Sequence, residues 1–145
     1  MAVKPIPEGY HSLTPYLTVE GVPRLLEFVK AAFDAKETEC IAGPDGRIAH
    51  AEARIGDSVV MMGEARAEWK PMPSTLYLYV PDADATYTRA LAAGATSLQE
   101  PANQFYGDRH GGVRDPVGNI WWIATHIEDV SPEELQKRAK AFKTK

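Results

Sequence analysis

The sequence predicts an α+β fold in which two βαβββ modules form curved mixed sheets around a cavity, with a further helix at the C-terminus. Two similar stretches support this prediction: AHAEARIGDSVVMM at 49–62 and GVRDPVGNIWWIATH at 112–126. In each, two strand-like runs flank a glycine-containing turn, which is the pattern of a β-hairpin. The turn glycines Gly56 and Gly118 are 62 positions apart, and Val19 and Val80 are 61 apart. This period predicts a duplicated unit whose two copies share one core.

The first module is predicted over residues 11–64, with four strands and one helix. His11–Val19 alternates like a strand, and Pro15 places that strand at an edge or a bulge. Val22–Phe33 has apolar side chains at helical spacing, and Pro23 suits a first helical turn. The remaining strands are predicted at Lys36–Ala42, Arg47–Arg54 and Ser58–Met62. Residues 65–73 carry charges, a tryptophan and two prolines, so they are predicted to be a linker.

The second module is predicted over residues 74–126 and repeats this order. Asp82 is a suitable N-cap for its helix. Its predicted elements are the strand Ser74–Val80, the helix Asp82–Ala93, the strand Thr96–Glu100, a loop at Asn103–Arg109, and the strands Gly112–Arg114 and Asn119–His126. Ser-Pro-Glu-Glu at 131–134 is a capping box, which predicts a C-terminal helix at 131–143. The thin apolar stripe of this helix fits packing on its own domain or covering a second chain.

The bulk composition excludes several classes of protein. A net charge of −4 and a pI near 5.6 argue against nucleic-acid binding, which requires clustered Lys and Arg. No apolar run approaches the ~20 residues of a membrane span. The N-terminus lacks the apolar region of a signal peptide, and Cys40 is the only cysteine. A cytoplasmic protein without an intrachain disulfide is therefore predicted.

Three segments resemble the vicinal oxygen chelate superfamily, which contains glyoxalase I, extradiol dioxygenases, fosfomycin resistance enzymes and bleomycin-binding resistance proteins. They are GPDGRIAHAEARIGDSVVMM (43–62), YLYVPDADATYTRALAAGAT (77–96) and YGDRHGGVRDPVGNIWWIATH (106–126). The resemblance spans about residues 14–126 and is nearest to the PhnB-like, glyoxalase-like subgroup. It implies the paired βαβββ fold, and it implies a homodimer, because such modules commonly pair across chains. It does not specify an activity, because one fold hosts many chemistries.

Metal-dependent members of this superfamily hold a divalent ion with His or Glu on the first and last strand of each module. The resemblance places these positions at Thr14, Val60, Thr75 and Trp122. Threonine, valine and tryptophan do not form a credible ligand set for a catalytic metal. No metal and no other cofactor is therefore predicted at these positions.

The same register predicts which side chains point into the cavity. They are Thr14, Tyr16, Thr18, Ser58, Val60, Met62, Thr75, Tyr77, Tyr79, Ile120, Trp122 and Ala124. Such aromatic and hydroxyl groups suit a flat or amphipathic small molecule, although they could equally fill the sheet core. Glu64 extends this face and could be a general base or a solvated charge. The candidate ligand-binding residues are Tyr16, Met62, Glu64, Tyr77, Tyr79, Tyr106, Arg109 and Trp122.

Two further groups leave alternatives open. His50 and Glu52 share one face of a strand and could bind a metal or relay protons, although an exposed sheet surface explains them as well. Arg109 could clamp a substrate carboxylate or phosphate, or it could pair with Asp108 or Asp115 to hold the turn.

These observations favour a protein that binds a small aromatic or amphipathic molecule in a metal-free cavity. The alternative is a metal-dependent lyase or dioxygenase of the same superfamily that uses an unusual metal site including His50 and Glu52. A protein–protein adaptor rests on the C-terminal helix alone. The ligand, any catalysed reaction and any catalytic residue stay open at this point.

Overall fold

The computed structural model describes residues 2–143, and the predicted domain of residues 1–145 extends past this range at both ends. The first module contains β1 (Tyr16–Val19), α1 (Val22–Phe33), β2 (Lys36–Ala42), β3 (Ile48–Ile55) and β4 (Ser58–Glu64). The second contains β5 (Thr75–Tyr79), α2 (Ala83–Ala92), β6 (Thr96–Asn103), β7 (Asp108–Arg114) and β8 (Ile120–His126), and α3 (Pro132–Lys143) follows it. The predicted α+β class with two βαβββ units and a C-terminal helix is confirmed.

Each module forms one mixed sheet with the same strand order. Sheet 1 has the order β1-β4-β3-β2, and sheet 2 has the order β5-β8-β7-β6. β1 is parallel to β4 and β5 is parallel to β8, whereas the other neighbours are antiparallel. The parallel pairing is possible because a helix returns the chain between the first two strands of each module. The two halves of the chain therefore share one topology.

The face of each sheet that packs against the helices, which we call the back face, forms the common core. α1 packs on β3 and β4, α2 packs on β6, β7 and β8, and the two helices pack on each other. Leu17 and Val19 of β1 are buried in one cluster with Val29 of α1. Trp121 of β8 is 1% exposed, and its ring centroid lies 4.8 Å from that of Phe33 on α1. This ring contact joins the modules.

The opposite face of each sheet, which we call the front face, is open. Alternation along β1 places Leu17 on the back face and Tyr16 on the front face. Tyr16 is 54% exposed, and Tyr77 and Tyr79 of β5 are 41% and 60% exposed. The three tyrosines of the predicted cavity lining are therefore exposed in the single chain.

Three strands differ by three residues or more from their predicted bounds. β1 begins at Tyr16 and not at His11, because Pro15 has no N–H to donate to a strand ladder. β7 begins at Asp108, inside the segment predicted as a loop, and β6 continues to Asn103. The glycines of this segment suggest a loop, but its residues pair with β6 and β8. Asp108 and His110 therefore lie on a strand, two residues apart and on one face.

The C-terminal helix contacts its own chain. Arg138 of α3 donates to both carboxylate oxygens of Glu128 at 2.9 and 2.8 Å, and to the carbonyl of Phe105 at 3.1 Å. The rings of Phe142 and Phe105 lie 5.2 Å apart. These contacts match the first of the two predicted placements. Within residues 2–143, no helix has the length and apolar character needed to cross a bilayer.

Candidate functional site

The front face of sheet 1 carries an aromatic ring beside an imidazole. β1 pairs in parallel with β4, so that Tyr16 lies opposite Met61 and both point forward. The Tyr16 ring lies over Gly63, where a Cβ atom would overlap it. Its centroid is 5.7 Å from that of His50 on β3. Glycine at position 63 is therefore what allows the tyrosine to lie flat on the sheet.

His50 also contacts a buried carboxylate. Its Nε2 lies 2.9 Å from Oε2 of Glu52, which is 5% exposed. Tyr10 of the N-terminal segment donates to the other oxygen of Glu52. Burial opposes ionisation of Glu52, but the hydrogen bonds from His50 and Tyr10 outweigh it and lower the pKa of Glu52. The interpretation of this pair as exposed sheet surface is wrong, because the N-terminal segment covers Glu52.

The front face of sheet 2 is built around Asp108, at the start of β7. Its Oδ2 accepts hydrogen bonds from the hydroxyls of Tyr77 at 2.7 Å and Tyr79 at 2.8 Å. Its Oδ1 lies 2.9 Å from Nδ1 of His126, at the end of β8. With 3% exposure, Asp108 is almost fully buried beneath these three side chains. The carboxylate therefore fixes two exposed aromatic rings in position.

The charge states of this cluster follow from burial and hydrogen bonding. Burial opposes ionisation of Asp108, but His126 and then the two tyrosines outweigh it, so the pKa of Asp108 lies below its ordinary value. Burial and then the bond to Asp108 raise the pKa of Tyr77, whereas that bond is the main cause of the raised pKa of Tyr79. Asp108 and then Asp129, at 2.7 Å from Nε2, raise the pKa of His126. At neutral pH Asp108 is therefore ionised and both phenols are protonated.

His110 and Trp122 complete this front face. The ring centroids of His110 lie 5.1 Å from Trp122 and 5.7 Å from Tyr77. His110 is 8% exposed, and burial lowers its pKa. Nε2 of His110 lies 3.4 Å from the Tyr106 hydroxyl, whereas its Nδ1 has no hydrogen-bond partner among residues 2–143. The imidazole is therefore neutral at pH 7 and has one unused nitrogen.

The two front faces share one arrangement of tyrosine and histidine. Tyr16 pairs with Met61 as Tyr77 pairs with Trp122, and His50 and His110 occupy matching positions in the next strand. The tyrosine–histidine ring distance is 5.7 Å in both modules, with interplanar angles of 37° and 34°. The duplication thus places one tyrosine–imidazole pair on each sheet.

The prediction that Met62 points into the cavity is wrong. Met62 pairs with Leu17 of β1 and is fully buried in the core, while its neighbour Met61 lies on the front face. Predicted lining residues Ser58 and Val60 of the same strand share this error, since they alternate with Met61.

The length of the hairpin turn explains the error. Ile55 pairs with Ser58, which leaves two turn residues between β3 and β4, whereas Arg114 pairs with Ile120 across the five residues 115–119. Gly56 and Gly118 therefore hold different places in their turns. Counting the same number of residues from each glycine therefore misplaces the predicted positions on β4 by one residue. An error of one residue assigns every side chain to the wrong face of the strand.

Two other predicted site residues have structural contacts. Glu64 accepts hydrogen bonds from the backbone N–H groups of Gly21 at 2.8 Å and Val22 at 2.9 Å, and so caps the N-terminus of α1. Arg109 binds Asp84 of α2 through Nε at 2.7 Å and Nη2 at 2.9 Å. Its predicted partners Asp108 and Asp115 are wrong, because alternation along β7 directs Arg109 away from Asp108.

Tyr16, Tyr77, Tyr79 and Trp122 lie on the front faces, and Tyr106 borders His110. Sequence reasoning missed Asp108 and His126 as a hydrogen-bonded pair, and it missed His110 beside Trp122. The available signal was the alternation of Asp108 and His110 on one face, which the glycines of YGDRHGG obscured.

The front-face positions that pair β1 with β4 and β5 with β8 have no set of metal ligands. They carry Tyr16, Met61, Tyr77 and Trp122, which offer phenols, a thioether and an indole. Catalytic divalent ions in proteins select imidazole, carboxylate or thiolate groups. Among the described residues, no three His, Cys, Asp or Glu side chains converge as a metal site would require. The residues present therefore do not fit the metal that the resemblance implies for other members.

Comparison with known proteins gives the same fold and a family. A family model described as "Glyoxalase/Bleomycin resistance protein/Dioxygenase superfamily" matches residues 10–123. The chain is 36% identical over 136 residues to an uncharacterized protein of Mycobacterium bovis, a match that covers 86% of this chain and 90% of that protein. A second uncharacterized protein, from Mycobacterium tuberculosis, is also 36% identical over 136 residues, with 86% and 80% covered.

Solved structures with the same fold are more distant in sequence. TioX from Micromonospora sp. ML1 superposes with a TM-score of 0.69 at 22% identity, covering 81% of this chain and 99% of that one. A glyoxalase/bleomycin resistance protein/dioxygenase family enzyme from Burkholderia phytofirmans PsJN gives a TM-score of 0.64 at 18% identity, with 79% and 97% covered. At these identities the likeness extends to the fold alone.

Proposed function

Because the chain belongs to the glyoxalase/bleomycin resistance protein/dioxygenase superfamily, we propose that it binds a small aromatic or amphipathic molecule on its front faces, without a catalytic metal. The observation that carries this proposal is the exposure of Tyr16, Tyr77 and Tyr79 on the front faces of the two sheets. Rings fixed in position by packing and hydrogen bonds offer stacking area at little entropic cost. Each phenol oxygen that donates to Asp108 can still accept a hydrogen bond from a ligand.

The donor chemistry of Tyr16, Met61, Tyr77 and Trp122 supports the metal-free part of the proposal. A phenol, a thioether and an indole bind an organic ring well and a hard cation poorly. The metal-dependent alternative requires His50 and Glu52, but the Glu52 carboxylate is already bonded to His50 and Tyr10. Elemental analysis of untagged protein tests this part. Less than 0.1 equivalent of Ni, Zn, Mn and Fe is expected, and one equivalent of any of them would contradict it.

We further propose that a second copy of the chain covers the front faces. Pockets for small molecules usually bury about 70–90% of their ligand, and an open sheet face cannot do this alone. A homodimer would convert two open faces into an enclosed cavity, as expected for modules of this kind. Sedimentation equilibrium at micromolar concentration should show a dimer, and a monomer at 100 μM would contradict this part. We also propose that the chain is a member of the PhnB-like subgroup and that it is located in the cytoplasm.

A thermal-shift screen of aromatic and amphipathic compounds, followed by calorimetry, tests the binding function. A ligand at about 100 times its Kd stabilises the folded state by about 2.7 kcal/mol, which raises Tm by roughly 5–10 °C in a chain of this size. Tyr16→Leu and Trp122→Leu should each weaken the binding of a compound found in this way. Phe142→Leu is the control, because Phe142 is an exposed aromatic residue of α3 outside both sheets. If all three variants bind the compound with the affinity of the wild-type protein, the ligand does not lie on the front faces.

A further inference from the structure

A broad groove lies on the front face of sheet 1. Its volume is about 1170 Å³, and it extends from Tyr16 and His50 to the start of α1 and the β2–β3 turn. A smaller hollow of about 360 Å³ adjoins it, shares Tyr16 and Arg66 as walls, and reaches the exposed ring of Trp69. Together they are large enough for a drug-sized molecule.

Three arginines line the groove, namely Arg24, Arg47 and Arg66, whereas its acidic residues are Asp45 and Glu64. Both acids are already engaged. Asp45 accepts from the backbone N–H of Arg47 at 3.0 Å and lies 3.8 Å from its Nε. Glu64 accepts from the two backbone N–H groups at the start of α1.

Arg24 and Arg66 are the unpaired charges of this groove. Both are exposed, and neither forms an ion pair with an acidic side chain within residues 2–143. They stand out because the whole chain has a net charge of −4. A guanidinium binds carboxylate and phosphate groups through two parallel hydrogen bonds. A groove with two free guanidinium groups and an aromatic floor therefore favours anions over cations.

We infer that the ligand is an anion with an aromatic body, whose ring stacks on Tyr16 and whose carboxylate or phosphate binds Arg24 and Arg66. This inference rests on the proposed function and assigns its ligand class. The Tyr16 ring, flat above Gly63, provides the floor, and the two arginines are exposed residues of the lining. Cationic ligands are disfavoured at this site.

Calorimetric titration with three naphthalene probes tests the inference: 2-naphthoate, 2-naphthylmethanol and 2-naphthylmethylammonium. The probes share one ring and differ in charge, so the ring contact is held nearly constant. The wild-type protein should bind the carboxylate at least tenfold more tightly than the alcohol, and the ammonium most weakly. The double variant Arg24→Gln/Arg66→Gln should lose about tenfold for the carboxylate and less than twofold for the alcohol.

The double variant Arg89→Gln/Lys137→Gln is the matched control, because it removes two positive charges from exposed residues of α2 and α3, outside the groove and outside both sheets. It should leave all three affinities within twofold of the wild type. Equal binding of carboxylate and alcohol, tighter binding of the ammonium, or an equal loss in the control would overturn the inference and leave the proposed function standing. If none of the probes binds, and no compound in the thermal-shift screen binds either, both the inference and the proposed function are overturned. An unchanged Tm in each arginine variant shows that the fold is intact.

Discussion

Replacing Asp108 with Asn should destabilise the protein by about 3 kcal/mol. The carboxylate accepts two hydroxyl bonds and one imidazole bond at 2.7–2.9 Å while 3% exposed. Hydrogen bonds to a charged group contribute roughly 1.5–3 kcal/mol each, and neutral ones about 1 kcal/mol. The amide keeps its oxygen for one side of the cluster and presents an NH2 group to the other. A loss of about 1 kcal/mol at each of three contacts gives the expected total.

Urea denaturation at pH 7, followed by tryptophan fluorescence, measures this change. With an m-value of about 2 kcal/mol/M, the midpoint should fall by about 1.5 M. Asp129→Asn is the control, because Asp129 also contacts His126 but is fully exposed. Surface ion pairs contribute about 0–1 kcal/mol, so its midpoint should move by less than about 0.5 M. A midpoint for Asp108→Asn within 0.25 M of the wild type, or equal shifts in both variants, would refute the reasoning.

Three further changes test other contacts. Gly112→Ala should cost about 1–3 kcal/mol and shift the near-ultraviolet signal, because the new methyl overlaps the Trp122 ring; unchanged stability would contradict this packing. Glu64→Gln should lower the free energy of unfolding by about 1 kcal/mol, because it weakens the cap of α1. A urea midpoint equal to that of the wild type would show that this cap does not stabilise the protein. The free energy of unfolding of the wild-type protein should fall as the pH rises above 6.5, and His126→Gln should remove this fall. The raised pKa of His126 makes its contribution complete below that pH and lost as pH rises through the folded value; parallel profiles would count against it.

Local patterns were enough to predict most of the fold. The alternation in TLYLY places Tyr77 and Tyr79 on one face, and pairing with β8 sets Trp122 beside them. The interval of 61 that relates Val19 to Val80 also relates Tyr16 to Tyr77 and Met61 to Trp122. Where a residue was placed by this interval, the sheet face on which its side chain lies could be predicted.

The errors arose where a local signal was ambiguous or a contact was distant in sequence. Gly56 and Gly118 both indicate a turn, but the number of turn residues between paired strands is not visible in the glycine itself. The partner of Arg109 is Asp84, 25 residues earlier on a different element, and spacing along the chain cannot reveal such a pair. The cap formed by Glu64 on α1 joins residues that are still further apart, since Gly21 lies 43 residues earlier.

Adjacent methionines on opposite faces of β4 provide the most direct test of the front-face site. Met61 lies on the front face opposite Tyr16, whereas Met62 is fully buried behind it. In protein labelled with 13C at the methionine methyl groups, titration with 2-naphthoate should shift the Met61 resonance in a saturable manner and leave the Met62 resonance nearly unchanged. A saturable shift of Met62 alone, or binding by calorimetry with no change at Met61, would contradict a ligand on the front face of sheet 1.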